Sequence, residues 1–532
     1  MALGYDYVVV GGGSAGCVLA ARLSENPDVT VCLLEAGGRD TNPFIHMPVG
    51  FAKMTTGPLT WGLKTAPQKH ANNREIPYAQ ARVLGGGSSI NAEIFTRGTP
   101  SDFDAWDKGG AKGWSFKEVR KYFLKSEGNA VLSGEWHGVD GPLSVSNIPD
   151  PQPLTRAFVK SCQELGMPFN ADFNGGQQEG AGFYQTTTRN NRRCSAAVGY
   201  LRPALKRRNL TVVTGASVLR VLVSNDRARG VAYRLGNEIL VAEAGREVVV
   251  TSGAIGSPKL LMLSGIGPSK HLKALGIEVL HDLPGVGQNL TDHFGIDIVA
   301  ELKAHTSLDK YNKWHWMLWA GLQYAIFNSG PVTSNVVEGA AFWFSNRTKK
   351  NSPDLQFHFL AGAGAEAGVP SVTAGRSGIT LNSYTLRPKS RGSVTLRSSD
   401  PNDKPVVDPN FLAEPEDLRI AVEGVKISRY IFTQPSLQKY VSTIRFPNAE
   451  VKSQSDFENY ARSYGRTSYH PVGTCRMGDD DLAVLDPQLR VRGIDRLRVC
   501  DSSAMPTLIG SNTNAATIMI GEKASDMIRG NH

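Results

Sequence analysis

The chain has 532 residues, of which 41% are hydrophobic and 20% charged, which is a globular composition and excludes a disordered or fibrous protein. Its length predicts about two or three domains. The net charge of +9 comes from dispersed Lys and Arg rather than from a basic block, so acidic lipid surfaces or anionic partners fit the charge, and nucleic-acid binding is not expected.

Six cysteines occur without a CxxC pair, so neither a metal site nor a redox dithiol is expected. The first strand pattern starts almost at the N-terminus, which leaves no room for a signal peptide. A reducing cytoplasm is therefore the expected location, with association to a membrane left open.

A strand, a glycine turn and a helix open the chain. Residues 5–10 are β-branched and aromatic, as in a buried parallel strand, and residues 11–16 form a GxGxxG turn. A helical pattern follows at 17–23, and a second apolar run at 29–34 ends at Glu35. This order and spacing predict a βαβ unit that binds an adenine dinucleotide.

The glycines, the helix N-terminus and the acidic end of that unit each have a physical task. Gly11 permits the tight turn, Gly13 lets the backbone approach a pyrophosphate, and Gly16 allows close packing of helix on strand. The helix N-terminus, with its partial positive charge, faces the anion. Glu35 can accept hydrogen bonds from a ribose.

The next segments are less regular. Residues 37–80 are rich in Pro, Gly and Asn and predict an extended cover. A second glycine-rich loop spans 84–91, where freed backbone N–H groups and serine hydroxyls offer another anion contact. A helix is predicted at 115–126, followed by a loop-rich excursion over 134–195.

Strand patterns return at 210–214, 218–223 and 228–234. A strong strand at 247–252 runs into the small-residue turn and helix at 253–261, the same arrangement as at the N-terminus. A glycine turn at 284–290 closes this part of the chain.

The composition changes between about 300 and 465. Alternating segments at 355–360, 379–386 and 392–396 predict antiparallel strands, and helices are predicted near 415–432 and 454–463. The end of the chain returns to the first style, with a strand at 497–501 and a helix at 515–528.

The most apolar stretch is residues 314–327, which read WHWMLWAGLQYAIF. Fourteen residues are too few to span a bilayer as a helix. We expect a core or pocket-lining helix here in preference to one that rests on a membrane surface.

Together these elements predict an α/β protein with two domains. A discontinuous Rossmann-like dinucleotide-binding domain would comprise residues 1–154, 196–298 and 466–532. An α+β substrate domain with an antiparallel sheet would comprise residues 155–195 and 299–465.

The separated motifs resemble those of the glucose–methanol–choline (GMC) oxidoreductases, which are FAD-dependent alcohol oxidases and dehydrogenases. The resemblance rests on the βαβ unit with Glu35, the loop at 85–91, the turn at 253–258 and the region of His470 and Asn512, and it covers residues 5 to about 528. Segments at 50–58, 68–74 and 313–321 are most similar to the bacterial FAD-linked L-sorbose dehydrogenases of this family.

The resemblance implies FAD as the cofactor of the first domain. The residues implied to hold it are Gly11, Gly13, Ser14, Ala15, Gly16, Glu35, Gly86, Gly87, Ser88, Asn91, Ala92, Val218, Asp501, Thr513 and Asn514. Some relatives attach FAD covalently through a histidine just before the asparagine of the second glycine loop. Ile90 stands there in this chain, so non-covalent FAD is expected.

The implied reaction is oxidation of an alcohol to a carbonyl compound with hydride transfer to flavin N5. His470 is the candidate base, because imidazole titrates near neutral pH. Asn512, which replaces a second histidine found in many relatives, would donate a hydrogen bond to the substrate oxygen. Glu338 and His358 are candidate substrate-binding residues by the same resemblance.

The predicted substrate is a primary alcohol of a sugar or polyol, with L-sorbose to L-sorbosone as the specific expectation. Electrons would pass to a quinone or another acceptor, and peripheral contact with a membrane is left open. The alternatives are an oxidase of the same family that uses O₂, a flavin-containing hydroxynitrile lyase, and a flavin-binding module without catalysis.

Overall fold

Two large sheets, each covered by helices, form the molecule. The computed structural model describes residues 2–304, 306–346, 348, 352–364 and 369–530. The strands of the two sheets, numbered together along the chain, are β1 (Ala2–Val10), β2 (Val31–Glu35), β3 (Gly180–Phe183), β4 (Leu210–Thr214), β5 (Ala216–Ser224), β6 (Arg227–Leu235), β7 (Glu238–Val250), β8 (Phe294–Leu302), β9 (Val337–Trp343), β10 (Leu355–Leu360), β11 (Gly378–Thr385), β12 (Val441–Phe446), β13 (Arg466–Thr467) and β14 (Leu497–Val499).

The longer helices pack on these sheets and on one another. They are α1 (Ser14–Leu23), α2 (Pro100–Lys108), α3 (Phe116–Ser126), α4 (Pro153–Glu164), α5 (Gly253–Leu263), α6 (Trp314–Phe327), α7 (Pro415–Thr433), α8 (Gln454–Tyr464) and α9 (Asn514–Arg529). Short helices include Pro43–His46, Pro48–Lys53, Gly87–Ile90, Ser269–Ala274, Leu308–Asn312, Pro331–Thr333 and Ser502–Ala504. Small two-stranded sheets include Leu63–Lys64 with Pro77–Tyr78, Thr188–Arg189 with Arg192–Arg193, and Ser393–Thr395 with Val406–Asp408.

The first sheet has the strand order β4-β2-β1-β7-β6-β5, with β14 paired to β7. Strands β4, β2, β1, β7 and β14 are parallel, and the β5–β6–β7 meander is antiparallel. The central strand β1 is covered by helices, so its run Val8–Val10 is buried and unbroken by polar residues. The predicted Rossmann-like arrangement is confirmed, including the return of the C-terminal strand to this sheet.

The second sheet has the order β12-β8-β11-β10-β9-β3, with β13 paired to β8, and every pairing is antiparallel. The α+β character predicted for the second domain is confirmed. The segment predicted at 392–396 lies outside this sheet, since Ser393–Thr395 pairs only with Val406–Asp408 among the described strands. Strands β8 and β9 were not predicted, and of the two only β9, which reads VEGAAFW, lacks the alternation that marks a half-exposed strand.

The domain boundaries inferred from the sequence stay a prediction. Both sheets draw strands from distant parts of the chain, and β3 within the 155–195 segment belongs to the second sheet. Residues 1, 305, 347, 349–351, 365–368 and 531–532 fall within the predicted domain ranges but outside the described residues.

The prediction of a buried or pocket-lining helix at 314–327 is wrong. The helix is present as α6, but only Ala320 of its fourteen described residues is buried. The apolar composition was interpreted as a core signal, and apolar residues on every side of a helix do not tell which side, if any, is covered. In the part of the chain that the structure describes, no helix is both long and apolar enough to cross a bilayer.

The opening turn holds α1 against β1 so closely that a side chain cannot be added. A Cβ on Gly16 would stand 1.9 Å from the carbonyl oxygen of Gly11, and one on Gly11, whose φ is +106°, would stand 2.6 Å from that of Thr251. The close packing predicted for Gly16 therefore depends on the absence of a side chain.

A substitution at this contact tests the packing. Gly16→Ala should lower the free energy of unfolding by more than about 2 kcal/mol, because backbone must move to admit the methyl group. Denaturant unfolding of the purified protein measures the loss. Gly38→Ala is the matched control, since a Cβ there meets nothing described within 4 Å. Equal stability of the two variants would contradict the argument.

Candidate active site

A cavity of about 610 Å³ lies where the two sheets meet. The carboxyl ends of the parallel strands contribute Gly11 after β1, Glu35 at the end of β2, Thr251 after β7 and Asp501 beyond β14. Carboxyl ends of parallel strands are where ligands bind in open α/β sheets. The second sheet supplies the opposite wall, with Val337, His358, Leu360 and Tyr384.

The N-terminus of α1 points a set of backbone N–H groups at this cavity. Gly13 is the N-cap residue, and no side chain in the described part of the protein caps the helix. Ser14 and Ala15, the first two residues of α1, line the cavity. Uncapped N–H groups together with the helix dipole form a binding site for a phosphate group.

Glu35 is held rigidly beside this turn. Its Oε2 accepts a hydrogen bond of 2.7 Å from the N–H of Gly12, and its Oε1 accepts one of 2.6 Å from the N–H of Gly37. Burial raises the pKa of the Glu35 carboxyl, and the two N–H donors oppose that shift. The carboxylate retains lone pairs for a ribose hydroxyl.

The second glycine loop lies directly on the first. The N–H of Gly85 donates to the Gly12 carbonyl at 2.7 Å, and a Cβ on Gly86 would stand 2.6 Å from the Cα of Gly13. A Cβ on Gly87 would meet no described atom within 4 Å, so the backbone there is open to the cavity. The two loops form one continuous glycine surface.

Asp501 fastens the turn after β7. Its Oδ2 accepts hydrogen bonds from the N–H of Gly253 at 2.9 Å and from Ser257 Oγ at 2.6 Å, and its Oδ1 accepts from Ser503. Burial raises the pKa of this carboxyl. Open glycine backbone, an uncapped helix end and a buried carboxylate are what a dinucleotide requires, so the residues present fit one.

His470 stands at the other part of the cavity and contacts a second histidine. His293 Nε2 lies 3.0 Å from the carbonyl oxygen of Leu386 and 3.1 Å from that of Ile509. Carbonyl oxygens only accept, so Nε2 of His293 carries the proton and its Nδ1 is an acceptor. That Nδ1 lies 3.0 Å from Nδ1 of His470, which must therefore donate. The lone pair of His470 consequently sits on Nε2.

Asn512 completes the arrangement. Its Oδ1 accepts hydrogen bonds from Thr96 Oγ1 at 3.1 Å and from Gln356 Nε2 at 3.0 Å, which turns its Nδ2 toward Nε2 of His470 at 3.3 Å. Both side chains line the cavity. One donor and one acceptor thus face the same point.

Burial keeps both imidazoles neutral. It lowers the pKa of His293 to about 3, and it lowers the pKa of His470 well below its ordinary value. Asp292 anchors the segment, because its Oδ1 accepts from the N–H of His470 at 2.8 Å and its Oδ2 accepts from Tyr78 Oη at 2.6 Å. Burial raises the pKa of Asp292 to about 6.

The structure brings most of the predicted site residues to one cavity. Those that line it are His470, Asn512, Gly11, Gly13, Ser14, Ala15, Glu35, Gly86, Gly87, Asn91, Ala92, Val218, Asp501, Thr513, Asn514 and His358. Gly16 and Ser88 lie behind the lining. Ser88 Oγ donates to the Gly85 carbonyl at 2.6 Å and so shapes the second loop from within.

Glu338 is not brought to the cavity lining. Its carboxylate accepts hydrogen bonds from Ser334 Oγ at 2.5 Å, from Thr155 Oγ1 at 2.8 Å and from the N–H of Gln152 at 2.7 Å. Burial raises its pKa. These contacts join β9 to the start of α4, which is a structural task, and the neighbouring residue Val337 faces the cavity instead.

Several residues of the site were not predicted. His293, Thr96 and Gln356 orient the two candidate catalytic side chains, and Arg193 Nη1 donates to Asn91 Oδ1 at 2.7 Å. None of them belongs to a spaced motif. The one available signal was the Asp292-His293 pair just after a glycine turn, which is too short to indicate a role by itself.

Comparisons with known proteins agree with this geometry. Family models described as GMC oxidoreductase match residues 5–295 and 388–521. An alcohol dehydrogenase [acceptor] from Pseudomonas putida is 43% identical over 530 residues, covering 98% of this chain and 95% of the relative. An oxygen-dependent choline dehydrogenase from Sinorhizobium fredii is 43% identical over 529 residues, covering 99% and 95%. A formate oxidase variant from Aspergillus oryzae, described with its FAD modification, has a TM-score of 0.94 at 27% identity, covering 100% and 99%.

The neutral state of His293 makes stability depend on pH. Its pKa is about 3 when folded and about 6.5 when unfolded, so below pH 6.5 the unfolded chain takes up a proton that the native state excludes. The contribution of neutral His293 to the free energy of unfolding is intact above about pH 6.5. As the pH falls below that value, the free energy of unfolding decreases by about 1.4 kcal/mol per pH unit.

Denaturant unfolding at several pH values checks this. Between about pH 6 and pH 4 the free energy of unfolding of His293→Gln should fall less steeply with decreasing pH than that of the wild type. The difference in slope should correspond to the uptake of up to one proton fewer on unfolding. Parallel curves for the two proteins would show that His293 is not held neutral.

Proposed function

The chain belongs to the GMC oxidoreductase family and is an FAD-dependent enzyme acting on alcohol donors, and from that premise we propose that His470 and Asn512 are its catalytic pair. We infer a dehydrogenase that oxidises a primary alcohol to the aldehyde. The observation that carries the proposal is the hydrogen-bond chain that leaves the lone pair of His470 on Nε2, facing the cavity beside an amide donor.

The two side chains divide the work on one hydroxyl group. An alcohol oxygen within hydrogen-bond distance of both nitrogens, which lie 3.3 Å apart, accepts a hydrogen bond from Asn512 Nδ2, while its proton passes to Nε2 of His470. Asn512 stabilises the negative charge that develops on the oxygen as the proton leaves, because its amide is already turned by Thr96 and Gln356. FAD, when bound, supplies the two-electron acceptor for the carbinol hydride.

The cofactor contacts that we propose follow from the lining. The turn with Gly11, Gly13, Ser14 and Ala15 holds the pyrophosphate, and Glu35 holds a ribose. Ala92, Val218, Asp501, Thr513 and Asn514 complete the set of lining residues assigned to FAD. The second loop, with Gly86, Gly87 and Asn91, lies along the remainder, and Ile90 before Asn91 offers no histidine for a covalent bond.

Within the alcohols, the lining favours a substrate with an apolar substituent. Phe51, Ile90, Ile94, Val337 and Leu360 all line the cavity. The carboxylates of the described lining lie on the side of the cavity formed by the first sheet. Glu35 is at the end of β2 and Asp501 follows β14, and Asp403 lies beside Lys259, whose Nζ donates to the Asp403 carbonyl oxygen at 2.7 Å. A quaternary ammonium such as choline would therefore meet no carboxylate of the described lining near His470.

A polyol such as L-sorbose is the second candidate. His358 favours it, because this residue lines the cavity. Its buried Nε2 has no hydrogen-bond partner among the described atoms. A buried polar atom without a partner is costly, and a second substrate hydroxyl would satisfy it.

The electron acceptor that we propose is a quinone or a similar two-electron acceptor. An oxidase that uses O₂ is the alternative within the family, and peroxide formation in air would identify it. The hydroxynitrile lyase alternative has no support in the relatives described above.

An anaerobic titration tests the reaction and the substrate class together. Flavin absorbance is followed in the holoenzyme with primary alcohols of increasing chain length, L-sorbose and choline. Apolar primary alcohols should bleach the flavin most rapidly, and His470→Ala should slow bleaching by about 10²- to 10⁴-fold with FAD still bound. His281→Ala, outside the cavity lining, is the control. Wild-type bleaching by His470→Ala would refute the assignment of the base.

The pH profile tests the hydrogen-bond chain itself. Since the pKa of His470 is lowered, the acid limb of kcat/KM should lie below pH 6.5. His293→Leu removes the acceptor of the Nδ1 proton, which fixes the tautomer of His470 and stabilises its imidazolium form. In this variant kcat should fall at least about tenfold and the acid limb should move to lower pH.

Ser468→Ala is the matched control for that variant. Ser468 Oγ lies 3.1 Å from the same Nδ1 atom of His470, but it does not carry the chain to the carbonyls of Leu386 and Ile509. Its removal should leave the acid limb in place. An unshifted limb in His293→Leu would show that His293 does not act through His470.

A further inference from the structure

The helix α6 exposes large apolar side chains on nearly every side. Trp314 is 73% exposed, Trp319 61%, Ile326 67% and Phe327 71%. Trp316, Met317, Leu318 and Leu322 are exposed as well. Water-soluble surfaces rarely carry a contiguous apolar patch of this kind, so the patch indicates an interaction surface.

Polar contacts hold the C-terminal end of α6 in place. Tyr324 Oη donates to the carbonyl of Asn191 at 3.1 Å, Asn328 Nδ2 donates to that of Asn190 at 2.8 Å, and Asn191 Nδ2 donates to that of Asn328 at 2.8 Å. These bonds fix the C-terminal end of the helix on the hairpin Thr188–Arg193. The apolar faces are left projecting from a fixed support.

Positive charge lies at both ends of the helix. Lys310 and Lys313 precede it, and Lys310 Nζ stands 5.6 Å from the ring centroid of Trp316. Arg189 and Arg192 are exposed on the hairpin at the other end. Asp309 is the one acidic residue in 306–328, and its carboxylate accepts from the backbone N–H of Gly378 at 2.8 Å and of Ala363 at 3.1 Å.

We propose that α6 and the four basic residues Lys310, Lys313, Arg189 and Arg192 form a docking surface for an anionic lipid bilayer. The helix is about 21 Å long, too short to span a hydrocarbon core of about 30 Å, so it lies in the plane of the interface. Trp residues favour that depth, and the basic residues at both ends meet lipid phosphates.

The docking surface lies close to the wall of the cavity. The short helix Pro331–Thr333 packs against both α6 and the short helix Pro48–Lys53. Phe51 of the latter and Val337, which follows Pro331–Thr333 along the chain, line the cavity. Docking therefore brings this wall of the site next to lipid.

Vesicle sedimentation with the holoenzyme tests the apolar part. The protein should bind vesicles of phosphatidylcholine with phosphatidylglycerol, bind pure phosphatidylcholine vesicles less, and be released from the former by salt. Leu318→Glu/Ile326→Glu should weaken binding at least tenfold. Ile239→Glu/Leu482→Glu, at residues 65% and 51% exposed elsewhere, is the matched control and should bind as the wild type does.

A second pair of variants tests the charges. Lys310→Glu/Lys313→Glu should weaken binding to the anionic vesicles at least tenfold, because each basic residue near the surface contributes about 1 kcal/mol, or about a fivefold change in binding. Lys206→Glu/Lys270→Glu makes the same change in net charge at exposed lysines away from α6 and should have little effect.

Several results would overturn the proposal. The first is failure of the wild type to bind anionic vesicles, and the second is an equal loss of vesicle binding in the control variants. The third is a lipid-free dimer that Leu318→Glu/Ile326→Glu converts to a monomer, because such a dimer would show that a second copy of the chain covers α6. Flavin bleaching by alcohols is measured in every variant. A variant that loses vesicle binding but keeps flavin bleaching shows that the docking surface and the proposed reaction are independent. The proposed function fails only if alcohols do not bleach the flavin.

Discussion

Two backbone carbonyls determine where the proton sits on the candidate base. Because the oxygens of Leu386 and Ile509 can only accept, His293 must hold its proton on Nε2, and each hydrogen bond further along the chain then has a single allowed direction. Nε2 of His470 is left as an acceptor without any nearby carboxylate having to ionise. The remainder of the site, including the amide of Asn512, is arranged around that one lone pair.

That constraint depends on the seam between the two sheets. Asp292, just before β8, accepts from Tyr78 and from the backbone of His470, while Asp297 within β8 pairs with Arg466 at 2.6 Å. These buried contacts fix the loop after β13 relative to the second sheet. The first sheet meanwhile supplies the glycine surface and Glu35, so the site is complete only where both sheets meet.

The sequence predicted the parts of the protein in which function is encoded locally. The βαβ unit, the second glycine loop, the strand-to-helix turn at 253–258 and the C-terminal strand and helix all follow from short spacings, and the family, the fold class and FAD were predicted with them. Strand β9 was missed because its sequence, VEGAAFW, carries no period-2 pattern. His293 was missed because its role arises from carbonyls 93 and 216 residues away.

The burial of α6 was mispredicted because burial, too, depends on tertiary structure. Composition shows that a helix will avoid water, but only the tertiary structure shows whether the protein itself provides the cover. For α4 and α7 it does, since their apolar faces pack on the second sheet, whereas for α6 the described protein covers little beyond Ala320. Because exposure of this much apolar surface opposes folding, its persistence beside the cavity wall is best explained by cover from outside the chain.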